Sequence, residues 1–311
     1  MNSSTYLSAA TFMQRNARPL DYARWQFHFE DGSVEQLLHT LSYYQNEDGG
    51  FGHALEPDCH NPFSSPIQTW AATEIINEIG FRDKTHPIIV SILSYLSSKE
   101  HFRDDCWLSS IPSNNEYPHA PWWEYDNDST SNNRYNPTVA LVGFIIRFAD
   151  ANSNLYHLAC RLAKDLYTSY EAMFSDLQAP KKPEMHTVVC FVKLLDYLKQ
   201  TEAKDIIDTS SLEQLLRLQI KQCIPSDRNE WETKYICKPS WYLRSKNSVF
   251  YEDNKAMADY EMEYIVKSQL TDGSWSIPWS WNDYADSWEL SKIWWKAHGI
   301  IMNMLYLKGM E

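Results

Sequence analysis

The chain has 311 residues, of which 43% are hydrophobic, so it is long enough to bury a sizeable core. Its formal net charge is -13, and no Lys/Arg cluster of the kind that nucleic acid or an anionic membrane needs is present. These features argue against such partners and leave small molecules or proteins. No run of about 18 apolar residues occurs, so integral membrane association is not predicted.

Apolar residues recur at helical spacing along most of the chain, with almost no strand pattern. In chain order, the predicted helices cover residues 33–45, 67–80, 86–98, 136–150, 153–174, 184–200, 210–223, 254–270 and 287–309. Prolines and Asn/Asp/Ser clusters separate these helices, and no low-complexity linker divides the chain. We therefore predict one all-α domain over residues 1–311.

The N-terminal segment and the cysteines indicate the compartment. Residues 1–25 contain neither a basic region nor a long apolar stretch, so no signal peptide is predicted and a cytoplasmic location is expected. The six cysteines are scattered without a CxxC pair, which predicts free, mostly buried thiols.

Two short turns have nearly the same sequence, QNEDGGFG at residues 45–52 and QLTDGSW at residues 269–275. Each follows a helix with a charged side and precedes a helix that is richer in Ala, Trp and Ile. Such alternation of exposed and buried helices is typical of a solenoid or a closed helical toroid. The glycines can take the positive φ that ends a helix, and the following aromatic residue can pack back onto that helix.

These turns resemble the QW repeat of squalene and oxidosqualene cyclases and of protein prenyltransferase β subunits. The matching residues are Gln45, Asp48, Gly49, Gly50 and Phe51 in the first turn, and Gln269, Asp272, Gly273, Ser274 and Trp275 in the second. The resemblance implies an α/α toroid, a ring of helical hairpins whose inner helices surround an apolar cavity. Because open edges would expose apolar faces, we predict that the C-terminal helix packs against residues 18–32.

In a toroid, every connection from an outer to an inner helix emerges at the same end of the ring. Four connections fit this description, at residues 52–66, 113–137, 178–186 and 276–288. They contain carboxylates, imidazoles and aromatic rings that we expect to meet at the mouth of the cavity. The residues expected to bind substrate are His53, Trp122, Trp123, Tyr125, Glu184, His186, Trp279, Trp281 and Trp288.

The resemblance also implies class II terpene cyclase chemistry. This chemistry uses a carboxylic acid held protonated in an apolar pocket and aromatic faces that stabilise carbocations. The acid of that family lies in an Asp-x-Asp-Asp motif, and the nearest match is Asp126 with Asp128, which lacks the last aspartate. Glu56 and Asp58 are the second pair of candidate acids. A nearby His, His119 for the first pair or His53 for the second, could orient or reprotonate the carboxyl group.

The diphosphate-dependent branches of the family fit less well, because the sequence contains neither a DDxxD motif nor a basic pocket. The run Asp58-Cys59-His60 has the residue types of a zinc site, but three consecutive residues cannot easily point at one tetrahedral metal. No metal ion and no cofactor are therefore predicted.

Two other functions remain open. An inverting glycoside hydrolase on a helical toroid would use the same indoles to stack on sugars and two carboxylates across the bond. A toroid without catalytic activity could instead bind an apolar ligand or a peptide. A closed apolar cavity would favour the isoprenoid ligand, and an open polar groove would favour the sugar. The sequence makes no prediction of the oligomeric state.

Overall fold

A computed structural model describes residues 3–127, 134–174, 181–203 and 205–311. Its elements in chain order are α1 (Ser3–Asn16), α2 (Pro19–Phe29), α3 (Val34–Ser42), α4 (Pro66–Glu78), α5 (Pro87–Ser98), β1 (Phe102–Arg103), β2 (Cys106–Trp107), α6 (Thr138–Phe148), α7 (Asn154–Phe174), α8 (Met185–Lys199), α9 (Thr209–Cys223), α10 (Glu230–Thr233), α11 (Tyr251–Ser268) and α12 (Ala285–Met310). Single turns of 3-10 helix lie at Pro121–Trp123 and Pro239–Trp241, and a longer one at Pro112–Glu116. The predicted all-α class is confirmed.

Close contacts divide the chain into two compact units. The central unit is Tyr44–Cys223, and the terminal unit combines Met1–Tyr43 with Ile224–Glu311. The terminal unit thus contains both ends of the chain.

The central unit is built around α6. Ten of its eleven residues are buried, because α4, α7 and α8 all pack against it. The longer helix α7 buries one side, with Leu155, Ala159, Leu162, Ala163, Leu166, Tyr167 and Tyr170, and leaves the other side exposed. A buried helix next to an amphipathic one is the alternation that the sequence predicts. The strands β1 and β2 form one short antiparallel pair.

In the terminal unit, α12 packs against α1, α2 and α11. Lys308 Nζ near the end of α12 donates a hydrogen bond of 3.0 Å to the carbonyl of His28 in α2. The guanidinium of Arg18 lies over the ring of Trp294, 5.1 Å from its centroid. The predicted packing of the C-terminal helix against residues 18–32 is confirmed.

The first turn is held by Gln45 and Asp48. Gln45 Nε2 donates to the carbonyl of Gly49 at 2.9 Å and approaches the carbonyl of Ile88 in α5 at 3.5 Å. Asp48 Oδ1 accepts from the N–H of Gly50 at 2.9 Å. Gly49 has a φ of 89°, and a Cβ at this position would lie 2.2 Å from the carbonyl oxygen of Ser91. The turn is therefore packed tightly onto α5.

The second turn makes the same contacts with α1. Gln269 Nε2 donates to the carbonyls of Gly273 and Thr5, each at 3.0 Å. Gly273 has a φ of 90°, and a Cβ there would lie 2.1 Å from the carbonyl oxygen of Ser8. Thr5 and Ser8 are three residues apart in α1, which is also the spacing of the two residues that the first turn contacts in α5. The two turns are thus structural repeats as well as sequence repeats.

Glu261 is a buried carboxyl group on α11. Its two oxygens accept hydrogen bonds from the N–H of Ser240 at 2.8 Å and from the hydroxyl of Ser240 at 2.6 Å. Burial raises the pKa of Glu261 to about 7, despite the opposing effect of these bonds, of the Lys238 charge and of the Tyr306 hydroxyl. The carboxyl group therefore titrates near neutral pH.

We expect stability to fall as Glu261 ionises. The folded protein holds this proton more tightly than an unfolded chain with a pKa of 4.5, so the contribution to stability is full below that pH and is lost as the pH rises through about 7. Glu261→Gln keeps an uncharged oxygen acceptor and should remove this dependence. Urea unfolding of both proteins from about pH 5 to about pH 8 measures it. Parallel stability curves for the two proteins would contradict the assignment.

Candidate functional site

Two of the candidate acids, Glu56 and Asp58, lie in the acid loop, residues 52–65, which joins the first turn to α4. Their exposed fractions are only 6% and 2%. Glu56 Oε2 accepts a hydrogen bond of 3.0 Å from the backbone N–H of Asp58. Gln68 in the first turn of α4 holds the loop from both sides, because its Oε1 accepts from the N–H of Glu56 at 2.7 Å and its Nε2 donates to the carbonyl of Cys59 at 2.8 Å. The loop is therefore fixed by a buried amide that the sequence did not single out.

His119 lies on a short extended segment that runs antiparallel to the acid loop. A single bridge pairs it with Cys59, and the N–H of Ala120 donates to the carbonyl of Asp58 at 2.8 Å. The ring is buried, and its Nδ1 lies 2.7 Å from the carbonyl oxygen of Tyr117. Because a carbonyl only accepts, Nδ1 carries the hydrogen and Nε2 of the neutral ring is an acceptor.

Asn61 ties the same two segments together a second time. Its Nδ2 donates to Ser113 Oγ at 2.8 Å and to Asn114 Oδ1 at 2.9 Å. Asn114 Nδ2 in turn donates to the carbonyl of Trp123 at 2.9 Å. Asn61 and Asn114 are fully buried. Sequence reasoning missed both, because an Asn in a loop usually indicates a solvated turn.

Cys59 at the centre of the acid loop is not a nucleophile. Burial raises the pKa of its thiol to about 12, so the thiolate is not populated at neutral pH. All six cysteines are free, as predicted, and five of them are buried.

The first pair of candidate acids has different surroundings. Asp126 is exposed, and Asp128 lies outside the described residues. Trp122 is 47% exposed. Tyr125 is fixed at the backbone, where its N–H donates to Asn115 Oδ1 at 2.7 Å. The burial that an alkene-protonating acid requires is therefore found at the acid loop and not at Asp126.

His53 lies at the start of the acid loop, but its ring contacts the first turn. It is exposed, and its Nε2 lies 2.9 Å from Asn46 Oδ1 in the first turn. Its φ of 59° is left-handed, as is that of Ala54 at 58°. The ring therefore helps to hold the turn.

Glu184 and His186 form the N-terminal cap of α8. The Glu184 carboxylate accepts from the backbone N–H of His186 at 2.9 Å and of Thr187 at 2.7 Å, and its Oε1 also lies 2.7 Å from His186 Nδ1. Partial burial acts to raise the pKa of Glu184, but the hydrogen bonds from His186 and Thr187 outweigh it and lower the pKa to about 2. This cap accounts for both residues without a ligand.

The three candidate tryptophans near the second turn belong to the terminal unit. Trp281 and Trp288 are buried, with their ring centroids 5.9 Å apart. Trp279 lies edge to face with Tyr235 at 5.2 Å and with Trp295 at 5.3 Å. Trp279 thus lies in one set of ring contacts, and Trp281 and Trp288 lie in another. Their expected role in binding substrate stays a prediction.

A cavity of about 610 Å³ opens beside the first turn in the central unit. It is lined by Asn46, Glu47, Asp48, Phe63, Ser64, Glu100, His101, Pro112, Ser113 and Glu116. Eight of the ten lining residues are polar, but apolar atoms make up the larger share of the lining surface, so the lining does not match the polar groove that the carbohydrate alternative requires. None of these described lining residues is a Trp either, so no indole is available there for a sugar ring to stack on.

Comparison with known proteins gives no relative: no family model, no curated protein and no solved structure matches the chain. The resemblance to the QW-repeat family therefore rests on the two turns and on their contacts.

Among the described residues, none of the helices combines the length and the hydrophobicity that a membrane span requires. In the same ranges, no three or more His, Cys, Asp or Glu residues are placed to hold one metal ion.

A buried group of charges in the terminal unit was also missed from the sequence. Asp21 accepts hydrogen bonds from Arg18 Nε at 2.7 Å and from Arg24 Nη1 at 3.3 Å, and Arg24 Nη1 also lies 3.3 Å from His298 Nδ1. Asp21 is fully buried. The spacing Arg-x-x-Asp-x-x-Arg places the three side chains on one side of a helix, and this was the signal available in the sequence.

Proposed function

We propose that the chain folds as an α/α toroid that binds an isoprenoid, and that the acid loop protonates an alkene of this ligand. The observation that carries the proposal is the burial of two carboxylic acids, Glu56 and Asp58, in a loop that Gln68 fixes. A catalytic acid needs such a rigid, water-poor position.

The contacts of the two turns support the toroid. The first turn follows α3 and packs on α5, which is the second helix after this turn along the chain. The second turn follows α11 and packs in the same way on α1, as though α1 came after α12. A contact that continues in this way from the C-terminal hairpin to the N-terminal helix is what a ring of hairpins would make, and it supports the proposal.

Alkene protonation needs a carboxyl group that keeps its proton. Burial disfavours the ionised form of a carboxyl group, which is why a buried acid is the better candidate for this step. The proton moves from the carboxyl oxygen to one alkene carbon, and the alkene π electrons form the new C–H bond and leave a carbocation. A later proton loss from the carbocation regenerates the alkene, so the net reaction is an isomerisation. His119 lies on the segment paired with the acid loop, and we assign its Nε2, an acceptor, as the base that takes this proton.

The test is turnover of polyprenyl substrates, with product analysis by mass spectrometry. We expect Glu56→Gln and Asp58→Asn, singly or together, to lower turnover by about a hundredfold or more, because proton transfer is lost. Asp126→Asn is the matched control, since it removes an exposed acid and should leave turnover unchanged.

The outcomes separate the candidate functions. Undiminished turnover in both acid-loop variants would eliminate the acid mechanism. Binding of a polyprenyl ligand without turnover by the unmodified protein would favour the toroid that only binds. The assignment of Trp279, Trp281 and Trp288 to the same ligand stays a prediction.

A further inference from the structure

The amine of Lys238 in the terminal unit lies against aromatic rings. Lys238 directly precedes the 3-10 turn Pro239–Trp241. Its Nζ lies 4.5 Å from the ring centroid of Tyr264 and 5.4 Å from that of Trp231. Among the described residues, no oxygen accepts a hydrogen bond from this Nζ and no carboxylate forms an ion pair with it. Ring faces thus replace the oxygen partners that a lysine ammonium usually has.

These surroundings favour the neutral amine. Burial lowers the pKa of Lys238, and the charge of Glu261 opposes this effect without outweighing it. Glu261 carries less than a full charge at neutral pH, since its own pKa is about 7. Tyr264 adds no charge, because burial raises the pKa of its hydroxyl. A lysine that loses its proton more readily than an ordinary lysine presents more of the nucleophilic amine at neutral pH.

The rings beside Lys238 are held in place. Trp231 in α10 is buried and lies edge to face with Tyr260 at 5.2 Å and with Tyr264 at 5.5 Å. Tyr260 and Tyr264 are one turn apart in α11, and the Tyr264 hydroxyl donates a hydrogen bond of 3.0 Å to the carbonyl of Trp231. The carbonyl of Lys238 accepts from the N–H of Trp241 at 3.0 Å. The amine and the rings are therefore fixed relative to one another.

The amine is not sealed off from solvent. Lys238 is only half-buried, and its Nζ is not among the fully enclosed side-chain atoms that lack a partner, as Trp295 Nε1 is. Tyr260 and Tyr264 are half-buried as well, so part of their surface is open. A small reactant can therefore reach the amine and contact these rings.

We propose that Lys238 binds aromatic aldehydes covalently, as a Schiff base beside Trp231, Tyr260 and Tyr264. The amine lone pair attacks the carbonyl carbon, and a proton passes from the nitrogen to the former carbonyl oxygen. Loss of water from this adduct leaves the C=N bond, so the step consumes no oxidant and no reductant. An aromatic aldehyde suits the site because its ring can pack on the open surface of the two tyrosines.

Reductive trapping of the full chain with benzaldehyde and cyanoborohydride tests the proposal. Hydride adds to the C=N carbon and makes the benzyl adduct permanent, and peptide mass spectrometry then measures the label on each lysine. At neutral pH and short reaction times, we expect about tenfold more label on Lys238 than on Lys234, because more of the Lys238 amine is neutral. Lys234 is the internal control, since it is exposed and its ion pair with Glu230, at 2.6 Å, raises its pKa.

Three further measurements use the same labelling. Unfolding in guanidinium chloride should abolish the preference, because both amines are then solvated. Lys238→Arg keeps a cation beside the rings and should lose only the label at this position. Acetaldehyde, which has no ring, should show a smaller preference for Lys238.

Equal labelling of Lys238 and Lys234 in the folded protein, or the same preference after unfolding, would overturn the proposal. An equal preference with acetaldehyde would overturn the assignment of an aromatic ligand. Because no polyprenyl substrate is used, these results are independent of the proposed acid chemistry.

Discussion

Replacing Gly49 by alanine is expected to lower the free energy of unfolding by about 2 to 4 kcal/mol. Two costs add up at this position. The φ of 89° disfavours any side chain, and the new Cβ would lie 2.2 Å from the carbonyl oxygen of Ser91. That oxygen belongs to the backbone of α5, so it cannot turn away as a side chain could. Gly273→Ala should cost a similar amount, since its Cβ would lie 2.1 Å from the carbonyl oxygen of Ser8.

Gly80 provides the control for the conformational part of this cost. Its φ is 65°, but a Cβ there would meet no atom within 4 Å. Gly80→Ala should therefore cost only about 1 kcal/mol, the penalty of the left-handed conformation alone. Urea unfolding of the three variants measures the difference. If Gly49→Ala and Gly80→Ala lost the same stability, the close packing of the turn on α5 would not be what requires glycine.

The turns were the most predictable part of the fold because their signal is local. Gly49 and Gly273 have the positive φ that the sequence predicts, but they lie in turns that come after the helix ends at Ser42 and Ser268. Phe51 and Trp275 are buried. The sequence could not show that Gln45 also contacts α5 and that Gln269 also bonds to α1. Their partners are the backbone carbonyls of Ile88 and Thr5. Because every residue has a backbone carbonyl, the residue types do not identify these acceptors.

The helices α1 and α2 were not predicted, although all the helices predicted from apolar spacing are present. Helix α1 buries small residues such as Ala9 and Ala10 together with Phe12 and Met13, so its apolar side is narrow. Its stability comes from packing against α12, which lies far away in the sequence. Helix formation that depends on such distant contacts is not visible in local spacing.

The sequence identified the acid loop as a candidate site. It did not predict that the acids of this loop are buried whereas Asp126 is exposed. Both segments combine acids with a His and with loop residues. What distinguishes them is burial, which depends on Gln68 and on the pairing of His119 with Cys59. A buried polar network of this kind is assembled from separate segments, so residue types alone do not reveal it.

Removing the charge of Asp21 is expected to lower the free energy of unfolding by more than Gly49→Ala or Gly273→Ala does. Asp21→Asn leaves the guanidinium groups of Arg18 and Arg24, which are only 8% and 2% exposed, without their buried carboxylate. Loss of one partner from a buried ion pair typically costs about 3 to 5 kcal/mol. Urea unfolding at neutral pH should show a loss of this size.

The pH dependence follows from the pKa of Asp21. Burial acts to raise it, but the charges of Arg18 and then Arg24 outweigh burial and lower it below the ordinary 3.8. The carboxylate therefore contributes stability above that pH and loses it as the pH falls through its lower value in the folded protein. The difference in the free energy of unfolding between the unmodified protein and Asp21→Asn should therefore become smaller at acidic pH.

Asp105 is the control that isolates burial from charge pairing. Its carboxylate receives two hydrogen bonds from Arg161, at 2.9 and 3.0 Å, so the geometry is at least as good as at Asp21. Both side chains are about half exposed, with 45% and 49% of their surface accessible. Asp105→Asn should cost about 1 kcal/mol or less, since water replaces the lost partner. If Asp105→Asn cost as much as Asp21→Asn, desolvation of the two arginines could not be the cause, and hydrogen-bond geometry would have to account for both losses.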